Sequence, residues 1–145
     1  VKDPRFCYLM EPWEHHGSVQ SVLFVLRHPW ESASSMSRQT KLPLSLTYRG
    51  WLDSIQRFWG APPRAPVRLV DYNAFFQPEV AVAATRPLFE FIDRPFDPGA
   101  AEAALAATLD PGLRSREALE IDLPAKVAVR YEELKRQLEG LPREK

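Results

Sequence analysis

The sequence predicts an α/β fold with a central parallel sheet flanked by helices. Short apolar runs alternate with longer segments of helical periodicity, which is the pattern of parallel α/β proteins. One run, from Val22 to Leu26, is apolar at every position, as expected of a strand covered on both faces. The length of 145 residues and the 45% apolar content predict a single domain with a sizeable core.

Three strands and five helices are predicted in alternation. The strands are placed at residues 6–10, 19–26 and 67–70, and the helices at residues 30–40, 45–59, 78–93, 99–108 and 124–140. Pro29 suits the first turn of the first helix, because its missing N–H is not needed there. The proline-rich segment 60–66 is expected to be a loop. Pro87 should kink or split the helix that contains it.

The last predicted helix carries an apolar stripe with alternating spacings of four and three residues. Its members are Val127, Tyr131, Leu134, Leu138 and Leu141. The stripe predicts a helix that docks on the core, and a homodimer seam is the alternative.

The balance of charges argues against nucleic acid and anionic membranes as partners of the whole surface, and the cysteine content argues against an intramolecular disulfide. Nineteen basic residues balance nineteen acidic ones, so no global field attracts nucleic acid or an anionic membrane, and any anion site must be local. Cys7, the only cysteine, falls in the first predicted strand and is expected to be a buried thiol. No apolar run is long enough for a membrane segment. A cytoplasmic location is therefore expected.

A local anion site is predicted where the apolar run ends. Arg27 lies at the carboxyl end of that strand, which is where open parallel sheets bind ligands. The helix begun by Pro29 should turn its amide groups and positive dipole end toward the same anion. Ser35 lies about two turns along this helix, and Ser32 and Arg38 share its face.

These residues resemble a nucleotide motif of the sulfotransferases that use 3′-phosphoadenosine 5′-phosphosulfate (PAPS), in particular bacterial carbohydrate-type members. The motif is an apolar strand, Arg-x-Pro and a serine eight residues after the arginine, matched here by Arg27, Pro29 and Ser35. Three further stretches resemble family motifs in the same order. They are Lys-Asp-Pro-Arg at 2–5, the strand and tyrosine at 67–72 followed by Pro-Glu at 78–79, and Asp-Pro-x-Leu-Arg at 110–114.

The resemblance implies a sulfotransferase fold of the P-loop-NTPase-like kind, incomplete at its N-terminus. Family members begin with a strand and a loop that binds the 5′-phosphosulfate, and none of the six glycines here has phosphate-cradling spacing. Residues 1–145 are therefore expected to be the C-terminal portion of one sulfotransferase-like domain.

The resemblance also implies an activity and its residues. A sulfuryl group would pass from PAPS, the co-substrate, to a hydroxyl or amine acceptor, with a small molecule or glycan as partner and no metal. Arg27 and Ser35 would bind the 3′-phosphate. Lys2 would meet the bridging or leaving oxygen, Asp3 is the candidate base, and Arg114 would reach the nucleotide.

Each assignment has an alternative. Instead of binding a phosphate, Arg27 would form a surface ion pair, and Ser34 is the alternative to Ser35. Arg5 would pair with Asp3 and fix the turn. Arg114 and Arg116 would be solvated surface charges. His15 and His16 are fallback bases, and their pairing with nearby glutamates does not complete a zinc site. Six aromatic residues are expected either to line a cleft for the acceptor or to belong to the core. They are Trp13, Trp30, Trp51, Trp59, Phe75 and Phe76.

Two other functions remain open at this point. One is a non-catalytic nucleotide-binding or interaction module that keeps only the 3′-phosphate site. The other is a fragment of a P-loop kinase. The absence of a Walker lysine and of paired metal carboxylates argues against the kinase.

Overall fold

Six helices and a small parallel sheet make up the described part of the chain. The structure is a computed structural model that describes residues 6–17, 19–109 and 121–140. In chain order the elements are α1 (Phe6–His16), β1 (Val22–Leu26), α2 (Pro29–Thr40), α3 (Leu44–Gly60), β2 (Val67–Asp71), a 3-10 turn (Asn73–Phe76), α4 (Pro78–Phe91), α5 (Pro98–Thr108) and α6 (Ala125–Leu138). The fold is therefore mixed α/β and mostly helical.

The two strands are parallel and form one continuous ladder. Val22 lies opposite Val67, and Leu26 lies opposite Asp71. A hydrogen bond from the Tyr72 amide to the Leu26 carbonyl, 2.9 Å long, extends the ladder past the end of β1. Parallel strands need a crossover, which α2 and α3 provide. The parallel pairing predicted from the sequence is confirmed, although β1 begins three residues later than predicted.

A cluster of buried side chains lies on one face of this sheet, and Val70 on the opposite face is buried as well. Phe24, Leu26 and Leu69 of the strands pack against buried side chains of α3 and α6. The buried set from those helices comprises Tyr48, Trp51, Ile55, Val127 and Leu134. Leu134 is completely buried, so the apolar stripe of α6 docks on the core and does not form an exposed seam.

The opposite face of β1 is exposed within the described residues. Leu23 is 40% exposed and Val25 is 52% exposed. Alternate residues of a strand point to opposite faces, and α3 and α6 pack only on the face that carries Phe24 and Leu26. The expectation that β1 is covered on both faces is therefore not met by the described part of the chain.

The predicted strand at residues 6–10 is wrong, because this segment is the first half of α1. Met10 is buried, whereas Tyr8 and Leu9 are exposed, which is a helical and not an alternating pattern. The Tyr8 hydroxyl lies 3.0 Å from the Ser54 hydroxyl of α3. Cys7 is half-buried in this helix, and burial raises the pKa of its thiol.

The five helices predicted from periodicity are all present, with boundaries within two residues of those expected. Helix α4 runs through Pro87 and is not split. Lys41 caps the C-terminus of helix α2. It has a left-handed φ of 61°, and its amide donates a hydrogen bond to the Ser37 carbonyl.

Candidate functional site

The carboxyl edge of the sheet gathers polar side chains from four elements. Arg27 and His28 follow β1, Asp71 ends β2, and Tyr72 comes directly after it. Helix α2 begins at this edge, and α6 brings Tyr131 against it, with the Tyr131 and His28 rings 5.1 Å apart between centroids. Ligands of open parallel sheets bind at this edge.

Arg27 contacts Glu31 and Tyr72. Its Nε lies 3.2 Å from Oε2 of Glu31, one turn into α2, and its guanidinium carbon lies 4.8 Å from the centre of the Tyr72 ring. The Glu31 side chain is 2% exposed and that of Arg27 is 24% exposed. Arg27 therefore makes an ion pair, as one interpretation of the sequence expected, but with a buried carboxylate and not with a surface one.

Arg57 makes the same kinds of contact at a different place. Its Nε lies 3.3 Å from Oδ2 of Asp53, and its guanidinium carbon lies 5.2 Å from the centre of the Tyr8 ring. Both charged side chains are more than half exposed. An arginine stacked on a tyrosine and paired at four residues' spacing is thus not distinctive by itself. Burial, and position at the carboxyl edge, distinguish Arg27.

The start of α2 is capped by His28. Its Nδ1 accepts a hydrogen bond from the Trp30 amide at 3.3 Å, and its carbonyl accepts one from the Ser32 amide at 3.1 Å. Pro29 has no N–H to offer. Two of the amides expected to face an anion are therefore already used within the helix start, which leaves side chains to make most of an anion's contacts.

The His28 ring is in a form that suits this cap. Burial lowers its pKa, and this effect outweighs the nearby Glu31 carboxylate, which raises it. A neutral imidazole with a free Nδ1 lone pair can accept the Trp30 N–H, whereas an imidazolium cannot. The cap therefore depends on the protonation state of His28.

Tyr131 closes the site from the side of α6. Burial, followed by the charges of Asp71, Glu132 and Glu31, raises the pKa of its hydroxyl to about 12. It is therefore a neutral hydrogen-bonding group at physiological pH and not a base. The ammonium of Lys135 lies 5.7 Å from the centre of the Tyr131 ring, which adds a cation near this edge.

Burial separates Ser35 from the adjacent Ser34. Ser34 is 8% exposed, and its hydroxyl is buried without a hydrogen-bond partner. Ser35 is half-buried, so its side chain is partly accessible. It lies six residues beyond Pro29, about 9 Å along the helix axis. Of the two serines, Ser35 is the one that a ligand can reach.

Lys2, Asp3, Arg5, Arg114 and Arg116 lie outside the described residues. Helix α1 contacts two other parts of the fold. Tyr8 near its start contacts the middle of α3, whereas Glu14 near its end accepts a hydrogen bond from the Ala65 amide, just before β2. Helix α1 therefore ends at the amino edge of the sheet.

His15 and His16 consequently lie far from Arg27. They follow Glu14 at the amino edge, and a five-residue strand separates the two edges by about 16 Å. Their rings contact each other edge to face, with centroids 4.7 Å apart. The structure does not bring these fallback bases to the same edge as Arg27.

Most of the tryptophans belong to the core. Trp51 is buried in it, and Trp30 and Trp59 pack against it. Trp13 differs, because it is 40% exposed and lines a hollow of about 230 Å³ with Pro12, His16 and Gly17. This hollow is at the amino edge, so the structure does not assemble the tryptophans into one cleft.

The sequence predicted Arg27 and Ser35 as site residues but did not place other residues beside Arg27. Glu31, His28 and Tyr131 carry no functional motif of their own, whereas Tyr72 belongs to the strand-and-tyrosine stretch at 67–72 but had no predicted place beside Arg27. The i to i+4 spacing of Arg27 and Glu31 was the one available signal, since such pairs meet on a helix face. Tyr131 had been assigned to the core stripe of α6, and only the fold shows that this stripe reaches the carboxyl edge.

Within the described ranges, no group of three or more His, Cys, Asp or Glu side chains is arranged to hold a metal ion. None of the helices in the same ranges combines the length and apolar character needed to cross a bilayer. Comparisons with protein-family models, curated proteins and solved structures gave no match to this chain.

Proposed function

We propose that this chain is part of a sulfotransferase that uses PAPS, and that Arg27 and Ser35 bind the 3′-phosphate of the donor. The observation that carries the proposal is the arrangement at the carboxyl edge. A parallel strand ends directly before Arg27, helix α2 starts at Pro29, and Ser35 is partly accessible about two turns along it. This is the order of elements expected from the resemblance of the sequence to the PAPS-dependent family.

The residues of the site fit an anion in part. The guanidinium of Arg27 is partly exposed, is planar and suits phosphate oxygens. Glu31 is buried beside it and neutralises part of its charge, which weakens the attraction of Arg27 for an anion. His28 uses the Trp30 amide, so Arg27 and the Ser35 hydroxyl are the expected principal donors.

The proposed reaction is transfer of a sulfuryl group to an acceptor hydroxyl or amine, with a carbohydrate as the expected acceptor. The bond between sulfur and the bridging oxygen of the phosphosulfate breaks as a bond from sulfur to the acceptor oxygen or nitrogen forms. The acceptor proton passes to a base, and adenosine 3′,5′-bisphosphate leaves with the electron pair. Lys2 is the proposed cation at the leaving oxygen and Asp3 the proposed base. Arg114 is the proposed late contact to the nucleotide.

The test is calorimetric titration of the chain with two nucleotides that differ only in the 3′-phosphate. We expect adenosine 3′,5′-bisphosphate to bind and adenosine 5′-monophosphate to bind at least about tenfold more weakly, because the latter lacks the group that Arg27 and Ser35 contact. Binding should not require magnesium. Ser35→Ala should weaken bisphosphate binding, and Ser34→Ala serves as the matched control.

Equal binding of the two nucleotides by a folded chain would contradict the assignment of Arg27 and Ser35 to a 3′-phosphate. Binding of ATP that depends on magnesium would instead favour a kinase fragment. These outcomes are distinct, since one concerns the 3′-phosphate and the other the metal.

A further inference from the structure

An exposed apolar turn joins α2 to α3. Every residue from 41 to 46 is exposed, and three of the six are leucines. Leu42, Leu44 and Leu46 are 45%, 42% and 50% exposed. Single exposed leucines are common on protein surfaces. Leu44 and Leu46 lie two positions apart in the first turn of α3 and so point to different sides of it. Together with Leu42 they make the tip between the two helices apolar. We call residues 41–46 the leucine turn.

The leucine turn is ordered and not frayed. The Lys41 amide bonds to the Ser37 carbonyl at 2.8 Å, and the Ser37 hydroxyl bonds to the Leu42 carbonyl at 2.6 Å. On the other side, the Leu46 amide bonds to the Pro43 carbonyl at 3.0 Å. Thr47, the next residue, is 1% exposed and anchors the turn to the core side of α3. The leucines therefore project from a fixed corner.

The charge around the leucine turn has one sign. No acidic residue occurs between Glu31 and Asp53, and this stretch contains Arg38, Lys41 and Arg49. All three cations are exposed. Because the whole chain has equal numbers of acidic and basic residues, this stretch is a local positive region in a neutral protein.

We propose that the leucine turn docks on an anionic lipid surface. The three leucines would enter the boundary between headgroups and acyl chains, and Lys41 and Arg49 would contact the negatively charged headgroups. Two observations favour a lipid surface over a protein segment. Every residue of the turn is exposed at the tip between two helices, and the charged residues that flank it in the sequence are all positive, as in peripheral membrane proteins. The proposal does not depend on the sulfotransferase activity.

The test is co-sedimentation of the full chain with lipid vesicles. One set contains phosphatidylcholine alone, and the other an equal mixture of phosphatidylcholine and phosphatidylserine. We expect binding to the mixed vesicles that weakens as salt is raised, and little binding to phosphatidylcholine alone. The double variant Leu44→Ser/Leu46→Ser should lose at least about tenfold in partitioning, because it removes most of the apolar contact.

Charge variants and a matched control complete the experiment. Lys41→Asn and Arg49→Gln should each weaken binding about fivefold. Asparagine is chosen at position 41 because it tolerates the left-handed φ found there. Val129→Ser removes an apolar side chain that is 63% exposed on α6, outside the turn, and should bind as the native chain does.

Failure of the folded native chain to bind the mixed vesicles would overturn the proposal. Binding that survives in the leucine double variant would also overturn it, because another surface would then be responsible. Self-association that the double variant abolishes, without vesicle binding, would assign the turn to a second copy of the chain and overturn the lipid proposal.

Discussion

Arg27 and Glu31 form an ion pair across the start of α2, with 3.2 Å between Nε and Oε2 and a carboxylate side chain that is 2% exposed. Arg57 and Asp53 form a pair of the same spacing and nearly the same length on the surface of α3. Because the two pairs differ mainly in burial, the difference between their contributions to the free energy of unfolding measures the effect of burial. The exposed pair also provides a matched control for experiments on Arg27.

Removing the carboxylate should affect the two pairs differently. Glu31→Gln removes a buried carboxylate from the partly buried Arg27, and we expect a loss of about 2 kcal/mol in the free energy of unfolding, below the full cost for a completely buried pair. Asp53→Asn should cost at most about 0.5 kcal/mol, because the pair is exposed. Urea denaturation of both variants measures the difference. Equal losses would show that burial does not strengthen the Arg27 pair.

Stability should fall on the acid side because of His28. Burial holds the pKa of its imidazole below the ordinary value of 6.5, so the unfolded chain takes up a proton more readily than the folded one. The contribution of His28 to stability is then present above pH 6.5 and is lost progressively as the pH falls below that value. His28→Asn keeps a cap acceptor and removes the titration.

The measurement is the urea midpoint of the native chain and of His28→Asn at about pH 7.5 and about pH 5.5. We expect the native chain to lose more stability between these values than the variant does. Parallel losses in the two proteins would mean that His28 is not a source of the acid sensitivity.

The hydroxyl of Tyr131 should ionise at a higher pH than that of an exposed tyrosine. With its pKa raised from 10.0 to about 12, the folded state disfavours the phenolate. Stability from this group is complete below pH 10 and is lost as the pH rises through about 12. Ultraviolet titration of tyrosinate absorbance should detect a late-ionising tyrosine in the native chain that is missing in Tyr131→Phe. An unchanged titration curve in the variant would contradict the burial of this hydroxyl.

Helix α6 should depend on Leu134 for its attachment to the core. Leu134→Ala removes a completely buried side chain, and we expect a loss of about 3 kcal/mol in the free energy of unfolding. The control is Val129→Ala on the same helix, which is 63% exposed and should change stability by less than about 0.5 kcal/mol. If thermal or urea melts showed similar losses for both variants, α6 would not be packed as described.

The sequence predicted α2 to α6 and the two paired strands, because their apolar periodicity extends over whole elements. It failed at residues 6–10, where five residues rich in apolar and aromatic side chains resemble a short buried strand. Periodicity cannot separate a helix from a strand over so short a run. Contacts between Tyr8 and α3 and the burial of Met10 accompany the helix, and neither is visible in the local sequence.

The candidate site was predictable in part for a similar reason. Arg27, Pro29 and Ser35 are close in sequence, and their spacing carries the information. Glu31 was within reach of the helix spacing rule. Tyr72 and Tyr131 come from β2 and α6, so their approach to Arg27 and His28 depends on tertiary packing. The capping of Trp30 by His28 depends on a side-chain rotamer that sequence does not specify.

The most direct test of the central claim is the thermal shift produced by adenosine 3′,5′-bisphosphate in the native chain, in Arg27→Ala and in Arg57→Ala. A ligand that binds only the folded state raises the melting temperature. At a free ligand concentration a hundred times Kd, it adds about 2.7 kcal/mol to the free energy of unfolding. We predict a shift in the native chain and in Arg57→Ala, and none in Arg27→Ala. Arg27→Ala removes the positive charge beside the buried Glu31 carboxylate and can therefore destabilise the fold. The double variant Arg27→Ala/Glu31→Ala, which lacks both charges, is included for this reason. A shift that persists in both folded Arg27 variants, or no shift in the folded native chain, would contradict the assignment of Arg27 to the 3′-phosphate.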